Sequence, residues 1–347
     1  MLNQTLQGDI TLVCITNSIG AKVVLSSLGA GINSIIVPDS NGSMADVVIG
    51  YANPADYLAD GPCAGKIPGR YANRIARGHF SIDGHEYSLA INNGPNALHG
   101  GPTGFQNRIW QVKDVFDNSV TFHYRSADGE EGYPGTLDVF ARYIWSDDCR
   151  LTLEMWASVE GRPTVINLTN HAYFNLGGHQ KPSVLDHTLM LNASQWLPTD
   201  DTLIPLPSAP ADVAGTPMDF TEAKSLGRDI KADFPALKYG KGYDNCWLID
   251  RNDNNADKHT VAAVLSDPDS GRTLTVSTDQ PAVQIYTGNW LEGCPTGKDG
   301  VTYHDYCAVA IECQNCPDAP NRPDFPSPLL KPGDTYRRTI EFHFGNK

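Results

Sequence analysis

Hydrophobic and polar positions alternate with period two along much of this chain. Leu137, Val139, Ala141, Tyr143 and Trp145 alternate with Asp138, Phe140, Arg142 and Ile144, and after Asp147-Asp148 the pattern resumes at Leu151, Leu153, Met155 and Ala157. Successive side chains of a strand point to opposite faces, so the spacing predicts a long antiparallel hairpin with one buried face. Phe80-Ser81-Ile82, Asp83-Gly84 and Tyr87-Ser88-Leu89 predict a second hairpin, its Asp-Gly suited to a type I′ turn. Val261 to Leu265, a turn at Asp267 to Gly271, and Leu274 to Val276 predict a third. Tyr336, Arg338, Ile340, Phe342 and Phe344 predict a closing strand. Helical periodicity is weak, and Thr221 to Lys231 is expected to hold one short helix. The 32 Gly and 24 Pro are spread out, as many strand-to-strand turns require. The loop from Gln195 to Thr216, rich in Pro, Asp and Ser, reads as a surface excursion. With no linker or internal repeat, the expectation is an all-β fold: one domain over residues 1–347, a large antiparallel β-sandwich.

Charge narrows the partners. The 347 residues hold 26 Lys+Arg against 40 Asp+Glu, a formal net charge of −14. Phosphates would be repelled overall, which argues against nucleic acid and against anionic membrane. No run of about 18 apolar residues occurs, and Met1-Leu2-Asn3-Gln4 opens neither a basic nor an apolar leader. Eight scattered cysteines fit reduced thiols in a cytoplasmic protein. Cys313-x-x-Cys316 stands alone, and a zinc site wants a second pair, so no metal is expected there. A small-molecule ligand is the partner this leaves, with monomer and homodimer both open.

Four segments carry polar residues without the pattern of a solvated face. In Gly69-Arg70-Tyr71-Ala72-Asn73-Arg74-Ile75, Asn73 and Arg74 offer an amide and a planar fork of donors, suited to sugar hydroxyls or a carboxylate. In Asn96-Ala97-Leu98-His99-Gly100-Gly101, two glycines after His99 allow close backbone approach by a ligand. Asn167-Leu168-Thr169-Asn170-His171-Ala172-Tyr173-Phe174-Asn175-Leu176 sets a histidine among small polar and aromatic residues. Cys307-Ala308-Val309-Ala310-Ile311 is an apolar run that closes on Glu312. A buried carboxylate has to be paired or functional. The plainer alternatives are structural: an ion pair for Arg74, an incidental turn for His99, a satisfied core histidine for His171, structural pairing for Glu312. Brought to one pocket, His171 and Glu312 would be an acid–base pair.

The order of these segments, together with Glu131-Gly132-Tyr133-Pro134-Gly135, Tyr243-Asp244, Gln284-Ile285-Tyr286-Thr287-Gly288-Asn289 and Glu312 through Asn321, closely resembles the aldose 1-epimerase (galactose mutarotase) family. The resemblance runs from about Gly61 to the C-terminus. Position 313 is Cys where the family usually shows Thr, and Cys316 is also atypical. The resemblance implies a large β-sandwich that interconverts the α and β anomers of free hexoses such as galactose and glucose, with no cofactor. It implies that His171 is the general acid and Glu312 the general base. It implies that Asn73, Arg74, His99, Asp244 and Gln284 hold the sugar hydroxyls. Glu312 is expected ionised at pH 7. His171 is expected to need a neighbouring carboxylate to raise its pKa.

Other readings make different demands. A non-catalytic carbohydrate-binding protein would want exposed aromatic platforms, for which Trp110, Trp156, Trp247 and Trp290 are candidates. A hexose-phosphate epimerase needs a cationic cluster, and only Arg70, Arg74 and Arg77 lie close in sequence. A metal enzyme on His99, His171 and Glu312 lacks any short paired histidine spacing. A glycosidase on Glu312 and Asp244 depends on a separation that sequence does not give.

Overall fold

The computed structural model describes residues 2–7, 9–58, 60–251 and 259–347. The predicted alternation becomes a nine-stranded antiparallel sheet. Its spatial order is Gln111–Phe116, Ser119–Ser126, Thr136–Trp145, Arg150–Glu160, Tyr336–Asn346, Arg272–Thr278, Thr260–Ser266, Thr188–Leu191 and Lys224–Ser225. The long hairpin pairs Leu137 with Val159 and Trp145 with Leu151, and its inward residues are buried at every second position. His79–Ile82 pairs with His85–Ser88 across Asp83 and Gly84, whose φ values of 50° and 80° make the type I′ turn.

Two further sheets complete the sandwich. A five-stranded sheet runs Leu2–Gln7, Ile10–Thr16, Lys22–Ser26, Gly31–Pro38 and Met44–Asp46. A six-stranded sheet runs Tyr173–Phe174, Val309–Gln314, Ala282–Tyr286, Asp244–Leu248, Gln195–Trp196 and Ala211–Asp212. All three contribute to one apolar cluster, in which Val13, Val23 and Ile35 join Leu151, Leu153 and Phe342 and also Val283, Ile285 and Ile311. Burying these faces is the main favourable term in holding the sheets together.

Three expectations change. Thr221 to Lys231 holds no helix: Leu226 N–H and Gly227 N–H donate to His187 and Leu185 carbonyls, drawing the segment alongside a neighbouring strand. The one α-helix among the described residues is Pro235–Gly240, started by a proline at its first turn, where the missing N–H costs nothing. Gln195 to Thr216 is more than a surface excursion, because its two ends are strands of the six-stranded sheet. Of the four tryptophans, Trp110 and Trp247 are core residues and Trp156 stacks on Phe140 at 5.1 Å; only Trp290 is exposed, at 63%. No helix among the described residues is long and apolar enough to cross a membrane.

Candidate active site

Register in the six-stranded sheet places the candidate base. Residues directly opposite on paired strands share a face. Cys246, Gln284 and Glu312 form one such row. Asp244, Tyr286, Ala310 and Tyr173 form the next. The alternate residues Trp247, Val283, Ile285, Ile311 and Cys313 face the main core. Cys313 and Cys316 therefore belong to different apolar clusters, and both are free thiols.

Loops supply the rest. Arg74–Ile75 and Ala97–Leu98 are two-residue strands paired to each other, which brings Asn73 and His99 side by side. Both adopt positive φ, 66° and 52°. Asn73 N–H donates to His99 Nδ1 at 3.1 Å, and His99 N–H returns a bond to Asn73 O at 3.1 Å. Arg74 Nε donates to Asn93 Oδ1 at 3.1 Å, and its Nη2 lies 3.6 Å from Asp244 Oδ2.

The Asn-rich string around His171 divides its labour. Asn167 Nδ2 donates to Ala72 O at 3.0 Å while its Oδ1 accepts from Asn315 N at 2.8 Å. Asn170 Nδ2 donates to Gly65 O at 2.7 Å, and Asn175 Nδ2 to Cys307 O at 2.7 Å. These amides tie irregular loops together where no sheet ladder satisfies the backbone. His171 itself lies against Tyr173 with centroids 4.8 Å apart and the rings tilted by 33°, and it meets His99 edge-on at 5.4 Å. Its Nε2 lies 3.5 Å from Glu312 Oε1.

Asn73, Arg74, His99, His171, Asp244 and Glu312 all line one cavity of about 580 Å³, a volume in the ordinary range for a small-ligand pocket. Gln284 does not reach its wall. It stands behind Asp244, donating from Nε2 to Asp244 Oδ1 at 2.6 Å, and its Oε1 has no protein partner. The walls also include Trp290, a candidate aromatic platform in the sequence, and Asn93, Asp201, Thr202, Leu203 and Tyr286, which the sequence did not single out as ligand residues. The Asp201-Thr202-Leu203 turn lies far from the other motifs in the chain, so local spacing carries no signal for it.

Both expectations about charge are overturned by burial. His171 is 4% exposed and Glu312 2%. Removal from water pulls the His171 pKa down to about 4, the residue's own backbone carbonyl opposes this, and the positive charge of Lys66 pulls further down. The same removal pushes Glu312 well above the carboxylate range; Asp244 adds to the rise and Arg74 opposes it. The carboxylate beside His171 is Glu312 itself. The two directions describe one proton shared by the pair and resting on Glu312.

His99, His171 and Glu312 also place possible ligand atoms within 4.8 Å of one another. They do not suit a cation. Asn73 N–H occupies His99 Nδ1 as acceptor, so the neutral ring carries its proton on Nε2. Burial, with His171 and Arg74 nearby, holds His99 neutral, well below its usual pKa. Both ring nitrogens are thereby committed, and Nε2–H is a donor suited to a hydroxyl oxygen. Arg74 also presents its guanidinium to the cavity, beside Asp244. Arg74→Ala is expected to raise KM by roughly ten- to a hundredfold, the worth of a charged hydrogen bond. Steady-state kinetics test it: an unchanged KM would make the Arg74–Asp244 pair structural.

Residues 11–343 match the family model described as Aldose 1-epimerase. Galactose mutarotase of Sus scrofa is 42% identical over 323 residues, covering 93% of this chain and 91% of that one. Aldose 1-epimerase of Escherichia coli K12 is 38% identical over 335 residues, covering 96% and 94%. A crystal structure of an aldose epimerase homologue from C. elegans superposes with a TM-score of 0.88 at 31% identity, covering 96% of this chain and 98% of that one. The match thus extends well upstream of Gly61.

Proposed function

The chain belongs to the aldose 1-epimerase family, and we propose that His171 and Glu312 are the groups with which it interconverts the α and β anomers of a free aldose. The protein is an aldose 1-epimerase, and galactose and glucose are the substrates to try first. The observation that carries the assignment is the 3.5 Å approach of His171 Nε2 to Glu312 Oε1 in a polar pocket.

Ring opening takes a proton from the anomeric hydroxyl and gives one to the ring oxygen. Carboxylate–imidazolium and carboxylic acid–imidazole hold the same number of protons. A hydroxyl donating to Glu312 favours the carboxylate and moves the shared proton to His171. Glu312 then accepts the anomeric proton as the C1–O5 bond breaks, and His171 protonates O5. The open aldehyde turns about C1–C2. Closure on the other face runs the same steps in reverse, restoring the pair. His99 Nε2–H, Asn73, Arg74 and Asp244 hold the remaining hydroxyls, with Gln284 fixing Asp244 from behind. No electrons move, so the residues suffice without a redox group.

A phosphosugar reading fits less well. Arg74 is the one cation on the cavity wall among the described residues, against Asp201, Asp244 and Glu312. Arg70 is buried and spends its Nη atoms on Pro134 O, Gly135 O, Ser126 Oγ and Thr164 Oγ1. The eight free cysteines suit a reducing compartment such as the cytoplasm.

Polarimetry on freshly dissolved α-D-galactose and α-D-glucose is the direct test. The protein should bring the rotation to equilibrium faster than buffer alone. No acceleration with any free aldose would overturn the assignment and leave a sugar-binding role.

A further inference from the structure

One buried charge pair beside the pocket is not used by the chemistry above. Lys66 sits in the apolar run Pro62-Cys63-Ala64-Gly65-Lys66-Ile67-Pro68. Its Nζ lies 2.5 Å from Asp60 Oδ1, with side-chain exposures of 1% and 0%. It also donates to Tyr57 O and, at 3.3 Å, to Asn107 Oδ1. Asp60 Oδ2 accepts from Ala64 N at 2.6 Å. Gly61 and Pro62, spanned by this pair, are part of the cavity wall.

The same segment is joined to the catalytic histidine. His171 N–H donates to Lys66 O and Gly65 N–H to His171 O, both at 2.9 Å. Pro62 O accepts from Tyr173 Oη at 2.9 Å, and the Tyr173 ring packs on His171. Asp60, Lys66, His171, Tyr173 and Pro62 thus close a ring of contacts around one side of the site. A buried ion pair carries a desolvation cost that an apolar pair of similar volume avoids, so stability alone is a weak reason for it.

We propose that Lys66 is a positioning residue for the acid–base step: with Asp60 it holds the Gly61-Pro62 wall, and its charge keeps the shared proton on Glu312 until sugar hydroxyls draw it to His171. The inference rests on the epimerase reading and on the His171–Glu312 assignment. The positive charge of Lys66 depresses His171, and burial holds Asp60 up at about 6 against the pull of Lys66. The other groups around His171 are Glu312, His99, Tyr173 and Tyr286. Tyr57 and Cys63 stand on the Lys66 side. Among them Lys66 is the full positive charge acting on His171.

The test is the pH profile of kcat/KM on galactose for wild type, Lys66→Arg, Lys66→Met and the double variant Lys66→Met with Asp60→Leu. The wild-type acid limb should fall near the His171 value of about 4. Removing the cation should move that limb upward by roughly half a unit to one unit, and Lys66→Arg should leave it in place. The double variant replaces the ion pair by an apolar one, so it keeps a folded wall where the single variant leaves Asp60 alone. Its limb should move upward as well. A raised KM with an unmoved limb would reduce Lys66 to a strut and overturn the proposal. Wild type inactive on every aldose would instead remove the epimerase reading itself.

Discussion

Replacing Glu312 with Gln is expected to slow anomer interconversion by at least about a hundredfold and to raise the melting temperature, by a margin that widens with pH. The rate effect follows from losing the base, since an amide does not accept the anomeric proton. The stability effect follows from burial. Glu312 is 2% exposed and its Oε2 has no protein partner. Its pKa in the fold lies well above the unfolded value. The folded state therefore binds more protons than the unfolded state above the ordinary carboxylate pKa. Stability from this group is complete at low pH and drains away as pH rises through the folded pKa. Gln has no such dependence and keeps nearly the same shape. The difference in melting temperature should be small near pH 4.5 and larger at pH 8. Polarimetry and thermal melts at several pH values check both halves. A folded variant with near-normal turnover would remove Glu312 from the mechanism. A pH-independent difference in melting temperature would mean that Glu312 is not held protonated.

This pairing of lost rate with gained stability is what a site under electrostatic tension should show. It also explains which features were legible in the sequence. Strands such as Thr136–Trp145 were readable because one face is buried and one is not, and period two records that difference directly. The row of Cys246, Gln284 and Glu312 depends on register across strands far apart in the chain, which no local pattern encodes. Asn73, Arg74, His99 and His171 stand out as polar residues without a solvated-face pattern and by motif resemblance, not by periodicity. Their loops are fixed by amide side chains such as Asn167 and Asn170 and by two-residue strands, too short to leave a repeat. The resemblance implies that Gln284 holds a sugar hydroxyl, and nothing local in the sequence shows that its Nε2 meets Asp244 Oδ1. The protonation of the pair is not legible in the sequence, because reference pKa values carry no burial and burial is the largest cause of both shifts. Lys66 carries a signal of its own, since a lysine inside an apolar run asks for a buried partner, and Asp60 is only six residues away.

The second large effect is expected for His171→Asn. Asn fills part of the ring's place and keeps a donor, but it carries no transferable proton. The pair behaves as one titrating unit: it gains a second proton near pH 4, set by His171, and loses its last proton only well above the carboxylate range, set by Glu312. Between those limits the pair itself should add no pH dependence to the wild-type profile, because its one-proton form is present throughout. Without His171, Glu312 alone must be ionised to act as base, and burial still resists that. The variant should lose roughly 10²–10⁴ in kcat, with KM changed by only a few fold, because the groups proposed to hold the sugar, His99, Arg74 and Asp244, are left in place. Its residual rate should climb with pH across the neutral range instead of forming a plateau. Stopped-flow polarimetry from pH 4 to 9 separates the cases. Should the variant keep both its plateau and its step near pH 4, the proton reaching the ring oxygen would come from elsewhere. His99, whose ring lies 5.4 Å from that of His171, would be the group to replace next.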